Sequence, residues 1–143
     1  MLQRGTGYIV DTPDFRDHKF DSLGLCGLRR DRGSVAQFVR VVHNQSWTKS
    51  CVIQAMETAY GTRRAAVGDP YDPFSRRYVW FNALSASGKR YKNEGCQPRV
   101  ALRMFQKLGG SLESTCPFSV SPLAMLRSPK WAAFADGYKK RTG

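Results

Sequence analysis

The stretch Asn44-Gln45-Ser46-Trp47-Thr48-Lys49-Ser50-Cys51-Val52-Ile53-Gln54-Ala55-Met56-Glu57-Thr58-Ala59-Tyr60 decides how this chain folds. It starts polar and then turns apolar at helical spacing. Val52, Ala55, Met56, Ala59 and Tyr60 fall at i, i+3, i+4, i+7 and i+8. The spacing predicts a helix over 50–67, with that face buried and the helix central to the fold. Ser50 is expected to cap it through its hydroxyl. Cys51 then occupies the first turn, where unpaired N–H groups and the positive helix end favour a thiolate. Gln45 lies on the loop leading in and offers an amide donor to an oxyanion. The stretch therefore holds two parts of an acyl-transfer site.

Outward from it, Gly68-Asp69-Pro70-Tyr71-Asp72-Pro73 breaks the helix. A second helix is expected over 74–85, with Phe74, Tyr78, Phe81 and Leu84 as its apolar stripe. That stripe reads as core rather than as a base-stacking platform. Residues 88–95 form a basic loop. A third helix is expected over 97–108, with Pro98 in its first turn and Gly109-Gly110 at its end. Its inward face is Ala101, Met104, Phe105 and Leu108. Residues 114–118 read as a turn. Ser128-Pro129-Lys130 then caps a last short helix with Trp131, Phe134 and Ala135. Upstream, 35–42 reads as a short strand or buried extended run, and 21–34 as a Gly- and Arg-rich loop. Pro13 and the neighbouring aspartates make residues 1 to about 20 an extended arm. The organisation is an arm and lead-in strand over 1–43, then a helical body over 44–143.

With 143 residues, 41% hydrophobic and 24% charged, the chain suits one domain with a modest core and is not a disordered composition. No apolar run has the length of a membrane span, and the N-terminus has no signal-peptide stretch. The expectation is cytoplasmic synthesis and no membrane partner. The net charge of +12, from 23 basic and 11 acidic residues, points to an acidic partner such as nucleic acid, or to a solvated basic face. Four cysteines without a C-x-x-C pair, and only two histidines, argue against zinc, and no cofactor is expected. A reducing compartment predicts free thiols, although a Cys96–Cys116 disulfide is geometrically open.

Four blocks in order resemble the papain-like cysteine peptidases, in particular their bacterial, archaeal and viral branch. The arm Gly7-Tyr8-Ile9-Val10-Asp11-Thr12-Pro13-Asp14-Phe15-Arg16-Asp17 resembles that branch's opening, G-W-x-x-D-x-P-D-x-R-D. Asn44-Gln45 through Ser50-Cys51 matches the family's Gln and Cys at their usual spacing. Phe74-Ser75-Arg76-Arg77-Tyr78-Val79-Trp80-Phe81-Asn82 resembles its S-x-x-F-x-Y-Y-N helix. Asn93-Glu94-Gly95-Cys96, with Arg99, Lys107, Gly109, Glu113-Ser114 and Pro117-Phe118, resembles its block that opens D-x-G and closes E-S-x-x-P-Y. The chain departs at Lys49, where the family commonly has Gly, and at Val52, where it often has an aromatic residue.

The resemblance implies an α+β fold of which this chain carries the helical half, mostly α, with an extended N-terminal arm. It implies Cys51 as nucleophile, and Gln45 with the Cys51 N–H as oxyanion donors. In the family the base is a His oriented by an Asn, both from a β-rich second half, roughly 130–150 residues into the enzyme. No histidine lies after Cys51 here. His18 and His43 precede it and match neither position; His43 reads as a solvent or capping residue. Without the β-rich half, helix 50–67 should expose an apolar patch, which predicts an obligate protein partner or assembly. Three functions are open, in this order: an inactive structural or assembly subunit, for which a virus or phage particle fits the branch; half of a split peptidase completed by another chain; and a basic nucleic-acid-binding module.

Overall fold

Ser75 sets the start of the most deeply buried helix. Its Oγ accepts from the Tyr78 N–H at 3.0 Å, an N-cap bond, and donates to the Cys116 carbonyl. The helix it opens, α2 (Arg76–Ala86), buries every residue over 78–84. The computed structural model describes residues 7–15 and 34–142. In it α1 (Cys51–Ala66) and α3 (Pro98–Leu108) pack on α2, and α5 (Trp131–Thr142) packs on α3. A short α4 (Pro122–Leu126) lies between α3 and α5 in the chain. Readings that fall on Arg16, Asp17, His18, Cys26 and most of 21–34 lie outside the described residues.

The expected stripe of Phe74, Tyr78, Phe81 and Leu84 is buried. Because α2 buries its full circumference over 78–84, α2 and not α1 is the central helix. The third helix also obeys its punctuation: Pro98 opens it, and Gly109 ends it at φ 73°, a left-handed conformation that suits glycine. Phe105 leaves α3 to meet Tyr60 and Phe74, with ring centroids 6.1 and 4.7 Å away.

The face of α1 is corrected. Its buried residues are Val52, Ile53, Gln54, Glu57 and Gly61, whereas Ala55 and Ala59 are exposed and Met56 and Tyr60 half-buried. The inward line is turned by about one residue from the apolar one, because Gln54 and Glu57 find bonded partners inside, Arg76 of α2 for the first and His43 and Tyr71 for the second. At Gly61 the Tyr71 ring comes so close that a Cβ would lie 2.6 Å from its Cε2.

The lead-in is corrected as well. Residues 36–38 form a 3-10 turn, Ala36–Phe38, with no buried residue, and Val42 is 88% exposed. The Ser34 hydroxyl accepts from the Ala36 N–H at 3.2 Å, which bends the chain before an extended run can form. The last helix is longer than expected, and α4 has no counterpart in the sequence reading. The β content among the described residues is two isolated bridges, Tyr8 with Cys96 in parallel and Phe74 with Leu112 antiparallel, so the described chain is mostly helical. No helix among the described residues is long and apolar enough to cross a membrane.

The arm is seated by its backbone. The Cys96 N–H donates to the Gly7 carbonyl at 3.0 Å, and the Ile9 N–H to the Cys96 carbonyl at 3.3 Å. A Cβ on Gly7 would lie 1.9 Å from the Lys49 carbonyl oxygen, so glycine is what lets the arm lie flat against the loop before Cys51.

Replacing Ser75 by Ala removes the α2 cap and a buried donor together. Urea unfolding should show a loss of about 1–3 kcal/mol with an unchanged m-value. An unchanged midpoint would mean that α2 does not depend on this cap.

Candidate functional site

The loop over 44–49 closes on itself before the helix begins. Asn44 Oδ1 accepts from the Ser46 N–H at 2.8 Å, and Ser46 adopts φ 54°. The Gln45 carbonyl accepts from the Thr48 N–H at 3.1 Å and from its hydroxyl at 2.6 Å. Thr48 and Ser50 are each 1% exposed, and their hydroxyl oxygens are 2.7 Å apart.

The direction of these bonds is set by what each group has to give. Arg76 can only donate, and its Nη1 lies 3.0 Å from Gln54 Oε1, so the Gln54 amide nitrogen faces Ser50 at 3.0 Å. Thr48 spends its hydroxyl proton on the Gln45 carbonyl, so Ser50 donates to Thr48. The result is one directed chain from α2 through Gln54, Ser50 and Thr48 to the Gln45 backbone. The expectation that Ser50 caps α1 through its hydroxyl is therefore corrected: that oxygen is engaged by Gln54 and Thr48, and no side-chain cap bond forms.

A second brace comes from the other side. Asn93 accepts from the Lys49 N–H at 2.9 Å and donates to the Trp47 carbonyl at 3.2 Å, gripping the loop on both sides of Thr48. The Trp47 indole N–H donates to the Val120 carbonyl at 2.7 Å. Cys51 comes next as the first residue of α1, half-buried and free. Its own N–H and that of Val52 precede the first carbonyl an α-helix can offer them. Gln45 is half-buried on the loop that the directed chain fixes to the helix.

Beside Cys51 runs an apolar groove of about 480 Å³, lined by Tyr8, Val52, Ala55, Met56, Ala59 and Pro98. The exposed alanines of α1 form part of it. A larger cleft, about 540 Å³, lies along the later half of α1 at Tyr60, Arg64, Phe74 and Phe105, away from the thiol.

His43 is not a solvent or capping residue. Its Nε2 bonds to Glu57 Oε2, and its Nδ1 lies 3.0 Å from Arg76 Nη1. The Tyr71 hydroxyl donates to the other Glu57 oxygen, and Arg76 also pairs with Glu113 at 2.8 Å. Glu57 is fully buried. Burial, and next the bond to Glu57, push the Tyr71 phenol well above its ordinary value, so it stays a donor. Both nitrogens of His43 are thus engaged away from Cys51. Sequence reasoning missed this cluster. The available signal was Gln54 and Glu57 standing three apart on α1, on the same face as Gly61.

The Cys96–Cys116 disulfide does not form; both are buried free thiols. Cys96 is held by the arm through its backbone, and Cys116 by Ser75 at the start of α2. Burial chiefly, with Cys51 and Asp11 adding to it, pushes Cys96 up to about 12; burial also raises Cys116. Among the described residues no group of three or more His, Cys, Asp or Glu side chains is placed to hold a metal.

These environments predict a selective pattern. At about pH 8, close to the ordinary thiol pKa, iodoacetamide should alkylate Cys51 in the folded chain and spare Cys96 and Cys116 until denaturant is added. Peptide mapping by mass spectrometry reads the outcome. Equal labelling of Cys96 in the native chain would contradict its burial.

No protein-family model matches the chain, and no curated protein does. Among solved structures it is similar to xylellain, a cysteine protease from Xylella fastidiosa, with a TM-score of 0.71 and 20% sequence identity. The match covers 97% of this chain and 56% of that one, so the chain spans a little over half the protease's length. Over nearly all of its length, the chain shares its fold with part of a bacterial cysteine protease.

Proposed function

We propose that this chain is the thiol-bearing helical half of a papain-like cysteine peptidase, inactive until a β-rich half carrying His and Asn docks against α1. The apolar groove beside Cys51 is the observation that carries this reading. A thiol meant for solvent has no use for a wall of Tyr8, Val52, Ala55, Met56, Ala59 and Pro98, whereas a docking face does. In the completed site Cys51 is the nucleophile. The Gln45 amide and the Cys51 N–H stabilise the oxyanion. The incoming His takes the thiol proton and returns it to the leaving amine; among the described residues His43 is engaged elsewhere.

A second reading shares the same face. The groove and the +12 charge also fit an assembly subunit that holds an acidic partner without chemistry, of which a virus or phage particle component is one form.

One experiment separates them. A peptidyl epoxide probe should leave Cys51 unlabelled in the isolated chain. It should label Cys51 once the companion chain, or the remainder of its own polypeptide, is supplied. A complex that forms without labelling assigns the assembly role. Ala55→Glu, on an exposed position, should abolish association by more than tenfold while leaving the helical circular dichroism spectrum unchanged. Labelling of the isolated chain, or a monomer that takes up no second half, would overturn the proposal.

A further inference from the structure

The larger cleft, at the end of α1 away from Cys51, is built like a ligand site that the thiol chemistry does not use. Its volume of about 540 Å³ is that of a small-molecule pocket. Tyr60 from α1, Phe74 from the turn before α2 and Phe105 from α3 line it. The Tyr60 ring stands edge-on to Phe74 and Phe105, with centroids 5.5 and 6.1 Å away. Gly110 lets these rings lie back against the chain. A Cβ there would come 2.6 Å from Phe105 Cε2 and 3.1 Å from the Phe74 Cβ, so a larger residue would displace the Phe105 ring.

The rim carries both signs of charge. Arg64 is oriented before any ligand arrives. Its Nε and Nη2 donate to the Pro70 carbonyl at 3.2 and 3.0 Å, and its guanidinium lies 5.9 Å from the Tyr60 centroid. Asp69 lies 3.7 Å from the same Nε, while Nη1 is bonded to no described residue. A guanidinium held in this way loses little freedom when an acceptor docks on it. The opposite sign comes from Asp72 and from the last turn of α3, to which Gln106 belongs. Carbonyls in that turn lack intrahelical partners, and the helix end is negative.

We propose that this cleft binds a free aromatic amino acid, its ring against Tyr60, Phe74 and Phe105, its carboxylate on Arg64 and its ammonium toward Asp72 and the end of α3. A purely apolar ligand would cover Arg64 without giving it an acceptor. A phosphate would match Arg64 but bring its charge against Asp72 and the negative helix end. A zwitterion satisfies both poles, and its carboxylate makes a charge-assisted bond to the guanidinium. An aromatic side chain adds one more ring to a cluster already arranged edge-to-face. Cys51 and the apolar groove take no part, so the inference does not rest on the peptidase reading.

Saturation-transfer NMR on the full chain, titrated with L-phenylalanine, tests it. Binding should saturate below about 10 mM. Phenylalaninamide and 3-phenylpropionate, which each lack one of the two charges, should bind about tenfold more weakly. Arg64→Gln should weaken phenylalanine by a similar factor and leave phenylalaninamide, which has no carboxylate, unchanged. Gly110→Ala should weaken all three. Prior alkylation of Cys51 should change nothing. Absence of saturation, equal affinity for the three ligands, or full binding by a folded Arg64→Gln chain overturns the proposal. Loss of binding on Cys51 alkylation overturns it too, because the ligand would then lie in the groove beside the thiol. Where a variant loses its helical circular dichroism spectrum, the three ligands on the parent chain decide.

Discussion

The fully buried carboxylate of Glu57 is the constraint on which the rest of the structure depends. A carboxylate taken out of water is costly unless its oxygens are matched. Here one oxygen is met by Tyr71 and the other by His43, and the positive charge of Arg76 lies on the far side of the imidazole. Each partner comes from a different part of the chain: the lead-in segment, the break between α1 and α2, and the first turn of α2. Arg76 then extends the reach to Glu113, whose carboxylate also accepts from the N–H groups of Arg76 and Phe118. Removing any one member would leave a buried group unsatisfied, so the cluster fixes the relative placement of segments that the apolar core alone would leave adjustable.

The same polar contact explains why some of the fold was legible in the sequence and some was not. Where inward residues are apolar, periodicity reads correctly, as at Phe74, Tyr78, Phe81 and Leu84. Pro98 and Gly109 mark the ends of α3 because ring geometry and a left-handed φ admit few alternatives. On α1 the rule assigns Ala55 and Ala59 to the core, yet the structure buries Gln54 and Glu57 there. Hydrophobicity cannot announce a polar face that is buried against its own partners. The five-residue α4 is too short to show a period, and at 35–42 β-branched content alone reads as strand.

The candidate site was readable in part for a similar reason. Cys51 before an apolar-periodic run is a local signal, and the structure puts it at the first position of α1. The job of Ser50 is not local. A serine at a helix start normally caps, but Gln54, one turn on, claims its oxygen because Arg76 has already oriented the Gln54 amide. His43 misleads in the same way, since its partners lie 14 and 33 positions away.

Helix α1 thus buries two polar side chains that periodicity would place outside. Gln54 and Glu57 point into the body beside Val52 and Ile53, and both are bonded there, while Ala55 and Ala59 line an open groove that contains the thiol. A helix that had only to stabilise this chain would gain by turning the alanines inward and solvating Glu57. That turn is blocked, because it would break the Gln54, Glu57 and Arg76 contacts together. The polar network therefore holds the apolar face outward, and the cysteine that sits on the edge of that face is held out with it. The groove and Cys51 thus share one helix, whose rotation one buried carboxylate helps to hold.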